Sequence, residues 1–157
     1  MTGPGLELAI QLLSDSKTVP GEEQLHAWVV AALQQQEVDR EITIRIVNQL
    51  ESQSLNAQYS GQDKPTNVLS FPADLPTGVD HPWLGDLVIC APLVECEATE
   101  QGKEIRDHWA HLVIHGVLHL LGHDHQQADE ATKMEALETS ILASLGYPNP
   151  YVGADER

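Results

Sequence analysis

The chain has 157 residues, 41% of them hydrophobic, which suits one globular domain covering residues 1–157. It carries 24 acidic and 8 basic residues, giving a formal net charge of −16. This acidic excess argues against sequence-independent binding to nucleic-acid backbones, which depends on Lys and Arg, so we expect no DNA binding.

Residues 6–90 contain four predicted strands. Apolar residues alternate with polar or small ones over residues 6–10 and again over residues 41–46, and this period of two is typical of strands. Short apolar runs at residues 67–71 and 86–90 lie between turn-forming residues. Strands explain both runs better than helices do.

Two helices are predicted between these strands. One opens at Pro20, and its apolar positions recur at spacings of three and four. These positions are Leu25, Trp28, Val29, Ala32 and Leu33. A short helix over residues 52–59 is followed by Gly61 as a helix breaker.

From Pro92 onward the sequence predicts helices only, each ended by a glycine. They cover residues 92–101 before Gly102, 105–121 before Gly122, and 128–145 before Gly146. Strands early and helices late predict an α+β fold, or an α/β arrangement of three layers, with a mixed sheet packed against helices.

Two features bear on location. No apolar run approaches the roughly 18 residues that a membrane span needs, and residues 1–10 do not resemble a signal peptide. Cys90 and Cys96 are too few and too close in sequence for a disulfide framework. We therefore expect a cytoplasmic protein with reduced thiols that does not bind membranes.

The segment that carries chemistry is HGVLHLLGHDH at residues 115–125. His115 and His119 are neighbours on one face of a helix and can both reach a Zn²⁺ ion at roughly 2.0–2.1 Å. Gly122 can end the helix and turn the chain back, so that His125 completes a set of three ligands. Three histidines leave a fourth position for water, as in catalytic zinc sites. We predict one Zn²⁺ per chain.

This segment has two other interpretations. Histidines at helical spacing also occur as ordinary core or surface residues, although the glycine and third histidine that follow favour a metal site. The spacing also matches the metzincin protease pattern HExxHxxGxxH, and we expect a metzincin-like zinc helix. Gly116, however, stands where the protease carries its glutamate base. Its presence argues against a metalloprotease.

The other histidines near this segment and Asp124 are not predicted to be metal ligands. We expect His111 to contact a ligand or pack in the core, and His108 and His123 to be solvated. Asp124 could orient a ligand imidazole or accept a proton, although acidic residues in loops are usually solvated.

The string at residues 115–125 resembles the HGxLHLxGYDH signature of the YbeY family of single-strand-specific, zinc-dependent endoribonucleases, which act in rRNA maturation and ribosome quality control. Further blocks agree with this resemblance over about residues 40–151. They are LNAQY at residues 55–59, DKPTNVLSFP at 63–72, LGDLVI at 84–89, Glu135 and Glu138, and Gly146-Tyr147.

The resemblance implies that His115, His119 and His125 are the zinc ligands. It also implies hydrolysis of single-stranded rRNA by zinc-activated water. Because the chain is so acidic, we expect the ribosome or a ribosome-associated protein to present the RNA.

Two residues depart from the family pattern. His123 replaces a tyrosine, and Ser60 replaces an arginine that is thought to serve catalysis or RNA contact. Lys64 is the nearest basic residue that could substitute, although a solvated lysine is the simpler interpretation. The alternative function is therefore a ribosome-associated assembly factor with weak or no turnover, and a metalloprotease is the third hypothesis.

Overall fold

The computed structural model describes residues 6–34, 40–73, 82–122 and 128–151. Within these ranges, strands and helices follow one another along the chain. In order they are β1 (Leu6–Leu12), α1 (Glu22–Leu33), β2 (Arg40–Val47), α2 (Gln49–Ser60), β3 (Val68–Pro72), β4 (Trp83–Cys90), α3 (Ala91–Gln101), α4 (Ile105–Leu120) and α5 (Ala128–Ser144). Every predicted element is present, and no boundary moves by more than 3 residues.

The strands form one mixed sheet in the order β1-β2-β4-β3. Strands β1, β2 and β4 run parallel, and β3 pairs with β4 in the antiparallel sense at the edge. In this register Ile44 lies between Ile10 of β1 and Leu87 of β4. The prediction of an α+β fold with a mixed sheet is confirmed.

The main core lies between one face of the sheet and helices α1 and α4. Alternate residues of β2 and β4, among them Ile44 and Leu87, are fully buried on this face, where Trp28 and Trp109 are also buried. Each such aliphatic side chain contributes roughly 1.5–3 kcal/mol through removal of apolar surface from water. This burial holds α4 firmly against the sheet.

Helix α2 packs on the opposite face. The Tyr59 ring of α2 lies 4.4 Å from the Phe71 ring of β3, measured between centroids. Leu55 of α2 lines the same cavity as Val88, whose position in β4 alternates with the core-facing Leu87. The sheet therefore has helices on both faces, as the three-layer prediction requires.

None of the helices in the described ranges is long and apolar enough to cross a bilayer.

Candidate metal centre

Beyond its first turn, helix α4 is enclosed by the rest of the protein except along one line of histidines. From His108 to Leu120 every residue is buried apart from His111, His115 and His119. These three, here called the histidine face, are spaced four apart and therefore lie on one side of the helix. The core leaves only imidazoles accessible on this part of α4.

The histidine face brings its rings close together. The rings of His115 and His119 are 4.7 Å apart between centroids and are inclined at 72°. The rings of His111 and His115 are 6.0 Å apart. Two imidazoles placed like His115 and His119, one turn apart, are suited to share one metal ion.

The end of α4 has the conformation that the sequence predicted for Gly122. Its φ is +102°, which favours glycine, and its N–H donates to the carbonyl of His119 at 3.0 Å. The chain therefore turns immediately after the last histidine of α4. His123, Asp124 and His125 lie outside the described residues, so the third ligand and the role of Asp124 stay predictions.

Glu138 of α5 contacts this face from the neighbouring helix. Its Oε2 accepts a hydrogen bond from His115 Nδ1 at 2.9 Å, and its Oε1 accepts one from His111 Nε2 at 2.7 Å. The hydroxyl of Tyr151 also donates to Oε1. Glu138 is fully buried, so its carboxylate is satisfied entirely by protein groups.

The protonation of this cluster follows from its contacts. Burial would raise the pKa of Glu138, but the hydrogen bonds from His111 and His115 outweigh it and lower that pKa to about 2. Burial lowers the pKa of His111, and the hydrogen bond to Glu138 offsets only part of this effect. Burial and the hydrogen bond to Glu138 raise the pKa of Tyr151. At neutral pH an ionised carboxylate therefore faces a neutral His111 and a protonated tyrosine.

The same cluster offers a set of metal-binding atoms. One ligand atom from each of His111, His115 and Glu138 lies within 4.8 Å of the others, so the three residues could hold a metal ion. His115 is shared between this set and the predicted set. The part of the chain that the structure describes thus places potential ligands on both sides of His115.

The contact between Glu138 and the histidines was not predicted. The sequence did contain a signal, because Met134, Glu138, Ile141 and Leu142 recur at helical spacing and all four are buried. A glutamate on the apolar face of a helix needs polar partners. Only the packing of α5 on α4 identifies those partners as histidines.

The prediction for His108 was wrong. This residue is 4% exposed, and its Nε2 lies 2.9 Å from Oε1 of Glu97 in α3. The amide of Asn67 donates to the same oxygen at 3.0 Å. Periodicity could not indicate this burial, because α3 covers a side of α4 that a single amphipathic helix would leave in water.

Gly116 is required by close packing. A Cβ atom built at this position would lie 2.7 Å from Cδ2 of Leu87, which is fully buried in β4. A side chain at position 116 would thus point into the sheet and away from the histidine face. This geometry explains the glycine and leaves no room for the glutamate base of a protease.

The end of α2 differs from the histidine face in exposure and charge. Ser60 is the last residue of α2, and its hydroxyl donates back to the carbonyl of Asn56 at 2.9 Å and to the Asn56 side-chain oxygen at 2.5 Å. Lys64 follows in an exposed loop, where its carbonyl accepts a hydrogen bond from the Asn56 amide at 2.9 Å. Ser60 therefore supports its own helix, and no charge replaces the expected arginine at position 60.

Strand β3 is attached to both layers of helices. Ser52 of α2 bonds to the N–H and carbonyl of Thr66, just before the strand, at 2.9 and 2.7 Å. Within β3, the Ser70 hydroxyl donates to the carbonyl of Gly116 at 3.3 Å. The edge strand is thereby held next to the middle of α4, beside His115.

The chain was compared with known families and structures. The family model described as Endoribonuclease YbeY matches residues 10–146. The solution structure of TM1509 from Thermotoga maritima superposes with a TM-score of 0.55 at 26% sequence identity, covering 87% of this chain and 91% of that chain. The match covers the end of β1 and all of the later elements, including the histidine face and the whole of α5. The chain therefore belongs to the YbeY endoribonuclease family.

Proposed function

We propose that this protein is a zinc-dependent endoribonuclease that hydrolyses phosphodiester bonds in single-stranded rRNA, in rRNA maturation and ribosome quality control. The observation that carries the proposal is the histidine face, since α4 leaves only imidazoles accessible from His108 to Leu120. Family membership supports RNA as the substrate.

The zinc would be held by His115, His119 and His125, one ion per chain. The first two ligands are adjacent on α4, and the third follows Gly122 in sequence, where a positive φ ends the helix. When bound, zinc supplies positive charge beside a phosphate and lowers the pKa of water toward neutrality.

The chain itself supplies orientation. The packing of α4 on the sheet fixes the backbone of His115 and His119, and Glu138 holds the His115 ring. We assign Asp124, next to His125 in sequence, to orienting a ligand imidazole or accepting a proton. We assign Lys64 the role of contacting the RNA phosphate, because it is the basic residue nearest to Ser60 in sequence.

The net charge of −16 bears on how this protein would bind RNA. An acidic protein gains little from the phosphate backbone, so its affinity for free RNA would be low. We propose that the ribosome or a ribosome-associated protein in the cytoplasm presents the single strand.

A second candidate function is an assembly factor that binds ribosomes with weak or no turnover. Ser60 favours it, because its hydroxyl is committed to Asn56 and adds no positive charge. A metalloprotease has less support, because position 116 faces Leu87.

The test is RNA cleavage by protein that has been stripped of metal and reloaded with zinc. Labelled single-stranded and double-stranded rRNA fragments and casein are assayed with the parent and with His119→Ala. We expect cleavage of single-stranded RNA by the loaded parent alone. Tight ribosome binding without cleavage would favour the assembly factor, and casein hydrolysis would favour the protease.

A further inference from the structure

Glu138 is a charged residue in an apolar setting. It has no solvent exposure, and its neighbours on the same face of α5, Met134 and Leu142, are almost completely buried. A buried carboxylate is costly unless each oxygen is hydrogen-bonded, so its partners explain its presence.

The two carboxylate oxygens have different partners. Oε2 bonds to His115, whereas Oε1 bonds to His111 and to Tyr151. A carboxylate accepts hydrogen bonds from the imidazole N–H groups that face it. With Nδ1 of His115 facing Glu138 in this way, Nε2 is the nitrogen left to bind a metal.

The spacing of these atoms distinguishes hydrogen bonds from metal coordination. Ligand atoms about 2.0–2.1 Å from one tetrahedral zinc are separated from one another by roughly 3.3 Å. The Glu138 oxygens lie only 2.7 and 2.9 Å from the histidine nitrogens, which are ordinary hydrogen-bond lengths. The cluster therefore fits a hydrogen-bonded group better than a set of ligands.

We infer that Glu138 is a positioning residue for His115, and that His111 and Tyr151 hold its carboxylate in place. This inference rests on the proposed zinc site and deepens it. A carboxylate behind a ligand imidazole fixes the tautomer, orients the ring and makes the metal-binding nitrogen more basic.

Residues from three parts of the chain position one proposed zinc ligand, His115. Glu138 comes from α5, His111 from α4, and Tyr151 from the segment after α5. That segment is itself anchored, because Lys103 Nζ donates to the carbonyl of Pro150 at 2.7 Å. Metal affinity should therefore depend on how this segment and α5 dock on α4.

The test measures zinc affinity by competition with a chromogenic chelator, using full-length protein. Glu138→Gln keeps the shape but removes the negative charge, and we expect zinc affinity to fall about 10- to 100-fold. Glu130→Gln, at an exposed position in the first turn of α5, is the matched control and should bind zinc like the parent.

Two further variants keep the test decisive if Glu138→Gln unfolds. Tyr151→Phe removes one donor at a half-exposed position and should weaken zinc binding severalfold without loss of fold. His111→Ala should retain one zinc per chain, with an unchanged ligand-field spectrum after cobalt substitution, because His111 is not a ligand.

Several outcomes would overturn the inference. Unchanged zinc affinity in Glu138→Gln and Tyr151→Phe would remove the positioning role, and loss of stoichiometric metal in His111→Ala would make that residue a ligand. If zinc affinity falls as expected while the loaded parent cleaves no RNA, the positioning role stands and the endoribonuclease proposal fails.

Discussion

The histidine face of α4 and the end of α2 both belong to blocks that resemble the YbeY family, yet they differ in how closely they follow its pattern. On α4, buried packing fixes the backbone of His115 and His119, and Glu138 contacts the His115 ring. At the end of α2, Ser60 stands in place of an arginine and bonds to its own helix.

The difference separates two tasks of a metal-dependent nuclease. Holding a metal requires rigid placement, and α4 obtains this from its contacts with the sheet and with α5. Stabilising a charged transition state requires positive charge near the phosphate, and Ser60 supplies none. We therefore expect a protein that binds metal well and turns over slowly. Variants at His119, Ser60 and Gly122 test this contrast, and a variant at Glu97 tests the packing behind α4.

The largest effect is expected at the histidine face. His119→Ala should remove stoichiometric zinc, because only two predicted ligands remain, and should lower the melting temperature in zinc-containing buffer. Metal analysis and thermal denaturation measure these effects. His26→Ala, at an exposed position of α1, is the control. Full zinc content in His119→Ala would show that the metal site lies elsewhere.

The next effect concerns the end of α2. Ser60→Arg should raise the rate of single-stranded RNA cleavage by about tenfold or more, because preorganised charge near the phosphate contributes several kcal/mol. Zinc content should not change. Ser54→Arg adds the same charge on an exposed position of α2 and controls for weaker overall repulsion of RNA. Equal rates in parent and Ser60→Arg would mean that position 60 does not approach the reacting phosphate.

A smaller effect is expected at the turn after α4. Gly122→Val places a β-branched residue at a φ of +102°, which should lower the free energy of unfolding by about 1–2 kcal/mol and weaken zinc binding. Urea denaturation and chelator competition measure the two effects. Gly21→Val, where φ is −70°, is the control. A variant that binds zinc as tightly as the parent would contradict the role of Gly122 in directing His125.

The smallest effect lies behind the histidine face. The hydrogen bond from His108 lowers the pKa of Glu97, despite its partial burial, and Asn67 adds to the effect. A lowered pKa stabilises the fold above about pH 4.5 and loses that contribution as the pH falls further. Glu97→Gln should cost on the order of 1 kcal/mol at pH 7, and less in acid.

Urea denaturation of parent and Glu97→Gln across pH 3–7 would measure this difference, with the exposed Glu100→Gln as control. A difference that stays constant over this pH range would rule out ionisation of Glu97 as its cause.

Local pattern was sufficient for much of the fold and for part of the site. The apolar spacing in α1 predicted its buried residues, and glycines marked the ends of α2, α3 and α4. The same periodicity placed His115 and His119 on one face. It failed for His108, because the burial of that side of α4 depends on α3, which is near in sequence but is not part of the helix pattern.

The sequence by itself determined the elements, the adjacency of His115 and His119 and the turn at Gly122, because helix geometry and glycine conformation depend on neighbouring residues alone. The tertiary structure decided which side of α4 stays accessible, why position 116 must be glycine, and which carboxylate meets His115. These features join residues that are distant in the chain, as Glu138 is from His115 and Leu87 is from Gly116. Their contacts exist only after the helices pack on the sheet, where burial requires each polar group to find a partner.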